Sequence, residues 1–150
     1  MGAKIPRKVV AFKTWQEGIT IPSGYSVFVH YKEGLWNINP RKHGPDKYGP
    51  EGGPVIAEKP EYPVPGKNEG CLIGRVLYSS EIRSNGHFVM EFPELENGGE
   101  KNKETVFAIG RDGILIPKTD YPKLLQLRCN DIDSGIFDNE GELYLELEIW

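Results

Sequence analysis

The chain has 150 residues, about one domain's worth, and a domain of that length buries roughly two thirds of its unfolded surface and folds without disulfide staples. Gly (18) and Pro (12) punctuate short apolar runs, which excludes a helical bundle, while 38% hydrophobic and 11% aromatic residues exclude a disordered chain. A net charge of −4 with dispersed Lys and Arg argues against nucleic acid as a partner, because neutralising phosphates needs a basic face.

The N-terminal stretch MGAKIPRKVVAF loses its apolar run at Lys13, so it offers neither a secretory leader nor a membrane span of about 20 residues. MGAK opens a myristoylation pattern that needs Ser or Thr where Pro6 stands. The expectation is a protein with no membrane insertion, cytoplasmic when made, whose release or surface association would use no classical signal peptide. KVVAFK at 8–13 and GITI at 18–21 predict the first two strands. YSVFVHY at 25–31 puts Tyr25, Val27, Val29 and Tyr31 on one face and Ser26, Phe28 and His30 on the other, a strand covered on most of both sides. His30 reads there as a satisfied core or surface histidine.

Residues 37–70 break this rhythm with seven prolines, six glycines and no strand pattern. A stretch of that length is either a floppy linker or an ordered loop that builds a site. Trp36 just before it, His43, Tyr48 and Tyr62 within it, and the paired phrases HGP (43–45) and YGP (48–50) favour the ordered loop. Each prolyl ring fixes φ and lowers the entropy lost on ordering.

Further strands are predicted at 71–78, 87–92, 104–109, 113–116, 123–129 and 142–150, separated by turn signals that include SNG (84–86), ENGG (96–99), RDG (111–113) and NEG (139–141). The last run, ELYLELEIW, turns Leu143, Leu145, Leu147 and Ile149 one way and Glu142, Tyr144, Glu146 and Glu148 to water, as a half-buried antiparallel strand does. Eight or nine short strands imply one all-β domain over 1–150, an antiparallel β-sandwich with sequence-adjacent strands mostly paired. Cys71 and Cys129 lie inside apolar runs and read as buried thiols in preference to a disulfide.

A second constellation is NDIDSGIFDNEG at 130–141, where Asp131, Asp133, Asp138, Asn139 and Glu140 gather side-chain oxygens between two predicted strands. Hard oxygen ligands in such a cluster suit Ca²⁺, which takes six to eight oxygens including backbone carbonyls. An EF-hand register fails, because with Asp131 at its first position the obligatory Gly falls on Ile136. The loop taken alone reads more readily as a solvated acidic turn whose Asp and Asn cap backbone groups.

Together the two loops resemble those of the LecA (PA-IL) family of bacterial calcium-dependent, galactose-binding lectins, from about Lys8 to the C-terminus. The resemblance is carried by ITIPSGYSVFVHYKEGLW, HGPDKYGPEG at 43–52, EGCLIGRV at 69–76, FAIG at 107–110 and ND-x6-DN-x-G at 130–141. It implies a sandwich of jelly-roll or galactose-binding-domain type and a Ca²⁺ cofactor. The implied ligands are the Asp131 carboxylate, the Gly135 and His43 main-chain carbonyls, and the side chains of Asp138 and Asn139, with remaining positions open to a vicinal diol of a galactose-type glycan. Asp138 stands where the family most often has an amide. The His and Gln with which the family grips the sugar's exocyclic hydroxyl have no match in 51–66, leaving Glu51, Glu58, Lys59, Glu61 and Tyr62 as candidate substitutes. Tyr48 and Trp36 are the candidates for stacking on the sugar's apolar face.

No GxSxG, HExxH or Walker loop is present, and nothing in the spacing of 22 acidic residues singles out a hydrolytic pair, so the expected activity is binding and not catalysis. A glycan-processing enzyme and a sandwich with purely structural or interaction duties are the alternatives. A homo-oligomer would add avidity, with Trp150 as a candidate interface residue.

Overall fold

The computed structural model describes residues 2–38, 40, 46–78, 82–84, 87–89, 106–120 and 122–150. His43, the HGP phrase and the ENGG signal lie outside them. The strands are β1 (Ala3–Val10), β2 (Gln16–Ile21), β3 (Val27–Asn37), β4 (Leu72–Tyr78), β5 (Ile82–Ser84), β6 (His87–Val89), β7 (Val106–Ala108), β8 (Ile114–Ile116), β9 (Lys123–Cys129) and β10 (Glu140–Ile149). Two four-stranded antiparallel sheets, β1-β10-β3-β8 and β2-β9-β4-β7, pack face to face as an all-β sandwich, and β5 pairs with β6 apart from them.

Strand pairing departs from the expected order. Apart from β5–β6, strands that follow one another in the described chain lie in different sheets. Residues 11–15 and 22–26 carry the chain across the sandwich instead of returning it alongside the strand just left, and turn residues mark a reversal without naming the partner. Boundaries also moved: β3, predicted at 25–31, runs on to Asn37. β1 begins at Ala3, five residues before the predicted strand, because among the described strands it is an edge strand paired only with β10 and its first half is largely exposed, so AKIPR shows little apolar pattern. The NEG signal is no turn: Glu140 already starts β10, and Gly141 sits opposite Trp36 of β3. Its φ is +93°, and a Cβ there would meet Leu35 O at 2.6 Å, so the signal reflects a close strand crossing.

The core lies between the sheets. Val27 and Val29 of β3 and Leu143, Leu145 and Leu147 of β10 are buried on one side, against Ile19, Ile21, Leu72, Val76, Leu125 and Leu127 from the other. Each such side chain contributes roughly 1.5–3 kcal/mol when removed from water. The alternation predicted for β10 therefore holds on its core face, and that of β3 holds from Val27 on, whereas Tyr25, predicted on the same face, precedes the strand and is exposed. Cys71 and Cys129 are free and buried, as expected. Among the described residues no helix is long and apolar enough to cross a membrane.

Trp36 closes the core at the end of β3. It is 0% exposed, and its Nε1–H donates to Gly70 O at 2.8 Å. Gly70 has φ +76°, and a Cβ there would run into the Ile38 side chain, so the approach of this carbonyl to the indole needs glycine.

Candidate metal and ligand site

The described part of the Pro- and Gly-rich segment is tied down by its own backbone. Residues 53–57 run antiparallel to 66–69, with Gly53 N–H to Glu69 O, Glu69 N–H to Val55 O, Ala57 N–H to Lys67 O and Gly66 N–H to Ala57 O, all at 2.7–2.8 Å. Before it, Tyr48 exchanges both backbone hydrogen bonds with Trp36. This stretch is an ordered loop and not a linker.

Asn130, at the end of β9 and 0% exposed, joins this loop to the acidic one. Its Oδ1 accepts Val64 N–H at 3.0 Å, and its Nδ2 donates to Val64 O at 2.9 Å and to Asn68 O at 3.2 Å. Its main chain bonds to Cys71 O and Gly70 N–H. At about 1 kcal/mol net for each buried hydrogen bond, one side chain locks the two loops at the same end of the sandwich. Residues 130–139 thus stand beside residues 62–69, although the sequence separates them by more than sixty positions.

Asp131 follows directly. One carboxylate oxygen accepts Ile132 N–H at 2.8 Å and the other accepts Asn139 Nδ2–H at 2.7 Å. Asn139 is buried and also donates to Ala11 O at 3.2 Å, so its amide is fixed from the β1 side. Both donors to Asp131 are uncharged. Burial pushes the Asp131 carboxyl above its usual range, the two hydrogen bonds act against the shift, and the charges of Glu69 and Asp138 add to it. A half-buried carboxylate facing two like charges is an arrangement that a cation stabilises.

The rest of the loop is a 3₁₀ turn, Asp133–Asp138, anchored by the buried Ile136. Gly135 and Asp138 are exposed on it. A Cβ on Gly135 would meet nothing within 4 Å, so any residue type fits there and only its main chain bears on a metal. On the opposite flank Arg128, 1% exposed, donates to Asp133 Oδ1 at 2.6 Å, to Asp131 O at 2.7 Å and to Cys129 O at 3.0 Å. The Cys129 thiol, pushed up to about 12 mainly by burial, stays protonated and donates to Ala11 O. It offers no thiolate to a metal.

Among the described residues no three His, Cys, Asp or Glu side chains gather closely enough to hold a metal alone. A cation at Asp131 would therefore draw on amide and main-chain oxygens as well, and a set of carboxylate, amide and carbonyl oxygens is the chemistry of a hard ion such as Ca²⁺. On that test Asp131 and Asp138 fit. The Asn139 amide turns its NH₂ to Asp131 and Ala11, so it also positions the carboxylate.

The sugar-contact candidates separate. Trp36 is a correction: with no exposed face and its N–H committed to Gly70, it is a core residue and cannot stack on a ligand. Tyr48 is half-buried and packs against the core, its ring edge close to Gly53. Glu51 binds Arg111 through Oε1 at 2.9 Å and borders a groove with Lys67, Asn68 and Ile109, away from Tyr62. Tyr62 remains beside the acidic loop. Its hydroxyl donates to Glu69 Oε1 at 2.9 Å, and burial, then Glu69, then the Asp131 charge push its ionisation upward. Tyr62 and Glu69 line a groove of about 450 Å³ with Pro54, Val55, Ile56, Glu58 and Lys59. Residue-type reasoning did not single out Asn130, Arg128 or Glu69. The only local signal for Asn130 is its place next to Asp131 at a strand end. No known protein family model matches the chain, and no characterised protein matches it in sequence.

Proposed function

We propose that the protein is a calcium-dependent carbohydrate-binding protein, with the ion at the 131–139 loop and a galactose-type glycan as ligand. The observation that carries this reading is Asp131: a half-buried carboxylate held by two uncharged donors, with Asp138 and Glu69 close enough to raise its proton affinity. The resemblance of the two loops to the LecA family supports the assignment of Asp131, Gly135, Asp138 and Asn139 to the ion, with His43 from the neighbouring loop. When bound, Ca²⁺ would supply open coordination positions for two vicinal hydroxyls, which replace water and restrict the ligand to diols of suitable spacing.

The chain's own residues do the remaining work. Asn139 and Ile132 N–H hold the Asp131 carboxylate in one orientation, and Asn130 keeps the Tyr62–Glu69 stretch alongside it. Preorganisation of this kind lowers the ordering cost of binding. The reading includes assembly of several copies, because a single shallow sugar site gains from avidity. Calorimetric titration with galactose, mannose and fucose, first in calcium and then in EDTA, tests it. Heat of binding for galactose in calcium and none in EDTA is expected; binding that survives EDTA, or no binding of any sugar in calcium, overturns it.

A further inference from the structure

Residues 11–15, which connect β1 to β2, back the acidic loop, and one side chain holds that connection closed. Gln16 opens β2, where its backbone pairs with Leu127 of β9, yet its side chain turns back to the end of β1 in the other sheet. Its Oε1 accepts Val10 N–H at 2.9 Å, and its Nε2 donates to Val10 O at 2.9 Å, Thr14 O at 3.2 Å and Lys13 O at 3.3 Å. Among the described strands β1 pairs only with β10, so the Gln16 amide takes both main-chain groups of Val10 as a neighbouring strand would.

Ala11 follows directly and is 0% exposed. Its N–H donates to Gly141 O at 3.0 Å, and its carbonyl accepts from Asn139 Nδ2 at 3.2 Å, the same nitrogen that donates to Asp131 Oδ2 at 2.7 Å. A carbonyl accepts from the NH₂ of an amide and repels its oxygen, so the Ala11 carbonyl selects one of the two orientations open to the Asn139 side chain. In that orientation the NH₂ steadies the Asp131 carboxylate, and Oδ1, the atom a hard ion takes, lies on the other branch of the amide. The reversed amide would offer an ion its NH₂, which cannot coordinate.

We propose that Gln16 is a positioning residue for the ion site: by fixing Val10 it holds the Ala11 carbonyl where that carbonyl orients Asn139 and, through Asn139, the Asp131 carboxylate. The proposal rests on the calcium-dependent reading above. Gln16 hydrogen-bonds to none of the residues assigned to the ion, so its effect has to pass through Ala11 and Asn139. Groups that orient a metal's ligands from outside the coordination sphere commonly change affinity about tenfold or more when removed. Trp15, the neighbour of Gln16, is the contrast. Its half-buried ring lies against the Arg75 and Arg128 guanidiniums, 4.5 and 5.5 Å from the ring centroid, so it belongs to the flank that fastens the loop to the sheet.

The test is a calorimetric calcium titration of the metal-stripped full chain, with a urea midpoint in EDTA measured for each protein. Gln16→Met, of similar length but without the amide, should bind calcium about fivefold more weakly than wild type. Gln16→Asn, which keeps the amide but shortens its reach, should lose about threefold and carries the test if Gln16→Met does not fold. In an Asn139→Ala background Gln16→Met should weaken calcium by less than about 1.5-fold, because the residue it acts through is gone, whereas a merely structural contribution would persist there. Trp15→Leu should lower the urea midpoint and leave calcium affinity within about twofold. Calcium affinity within about 1.5-fold of wild type in every folded Gln16 variant, or an equal loss from Gln16→Met with and without Asn139, overturns the positioning role and leaves calcium binding standing. A loss from Trp15→Leu as large as that from Gln16→Met overturns it too. Absence of calcium binding by the wild type overturns both.

Discussion

The two flanks of the 131–139 loop use the same side-chain chemistry to opposite ends. Asp133 is 72% exposed, yet it is paired with Arg128, a guanidinium that is itself buried and spends its other donors on the Asp131 and Cys129 carbonyls. Asp131, two residues away and far less exposed, receives among the described residues only uncharged donors, from Ile132 and Asn139, and feels the repulsion of Asp138 and Glu69. A carboxylate already neutralised by a fixed cation fastens the loop to the sheet. One that is desolvated without such a cation keeps its charge for a ligand, so the carboxylate nearer to solvent is the structural one and the more buried one is the candidate ligand.

The largest expected effect breaks the Arg128 flank. Arg128→Met keeps the apolar stem but removes the donor to the Asp131 carbonyl and to the Asp133 carboxylate and leaves the Cys129 carbonyl to Asp131 N–H, and should cost about 3 kcal/mol in urea denaturation, in calcium and in EDTA alike. A loss under about 0.5 kcal/mol would mean that Arg128 does not anchor the loop. Next in size, Asn139→Ala frees the Asp131 carboxylate on one side and removes a bond to Ala11. Calcium affinity should fall about tenfold, or about 1.4 kcal/mol, in a calcium titration.

A pH series sharpens the same contrast. The Asp131 carboxyl is raised from its ordinary 3.8 by burial, so in the metal-free protein its contribution to stability is full below 3.8 and is lost as pH rises through the raised value. Calcium needs the ionised form, so the melting-temperature gain from calcium should shrink as the solution is acidified from neutrality into that window; a gain that is constant down to pH 4 would contradict it. The smallest effect belongs to Asp133→Ala. Because that carboxylate is mostly in water, the pair should be worth under about 1 kcal/mol, and calcium affinity should stay within about twofold by titration.

The sandwich was legible because β10 and the first residues of β3 alternate: Val27 and Val29 on β3 and Leu143, Leu145 and Leu147 on β10 bury the faces their period marks. Strand order was not, since period describes one strand and Gly-rich turns say nothing of which sheet receives the next. The acidic loop was legible as a cluster of oxygen-bearing residues, but the division of labour within it was not. Asp131 and Asp133 look alike in sequence, and only the buried Arg128 reaching Asp133 tells them apart. Trp36 misled for a related reason. An aromatic residue before a long loop fits a ligand platform or a core plug equally well, and the Gly70 carbonyl that claims its N–H lies 34 residues on. Tyr62 entered as one substitute among several, and its nearness to Asp131 depends on Asn130 bridging two distant loops.

The most direct test is a calorimetric calcium titration of the metal-stripped wild type beside Asp131→Ala. A saturable isotherm for the wild type and an affinity at least 100-fold lower, about 2.8 kcal/mol, for the variant are expected, with the variant's urea midpoint in EDTA close to the wild type's. Equal calcium affinity in the two proteins, or no calcium binding by the wild type, would contradict the assignment of Asp131 as the ion's ligand.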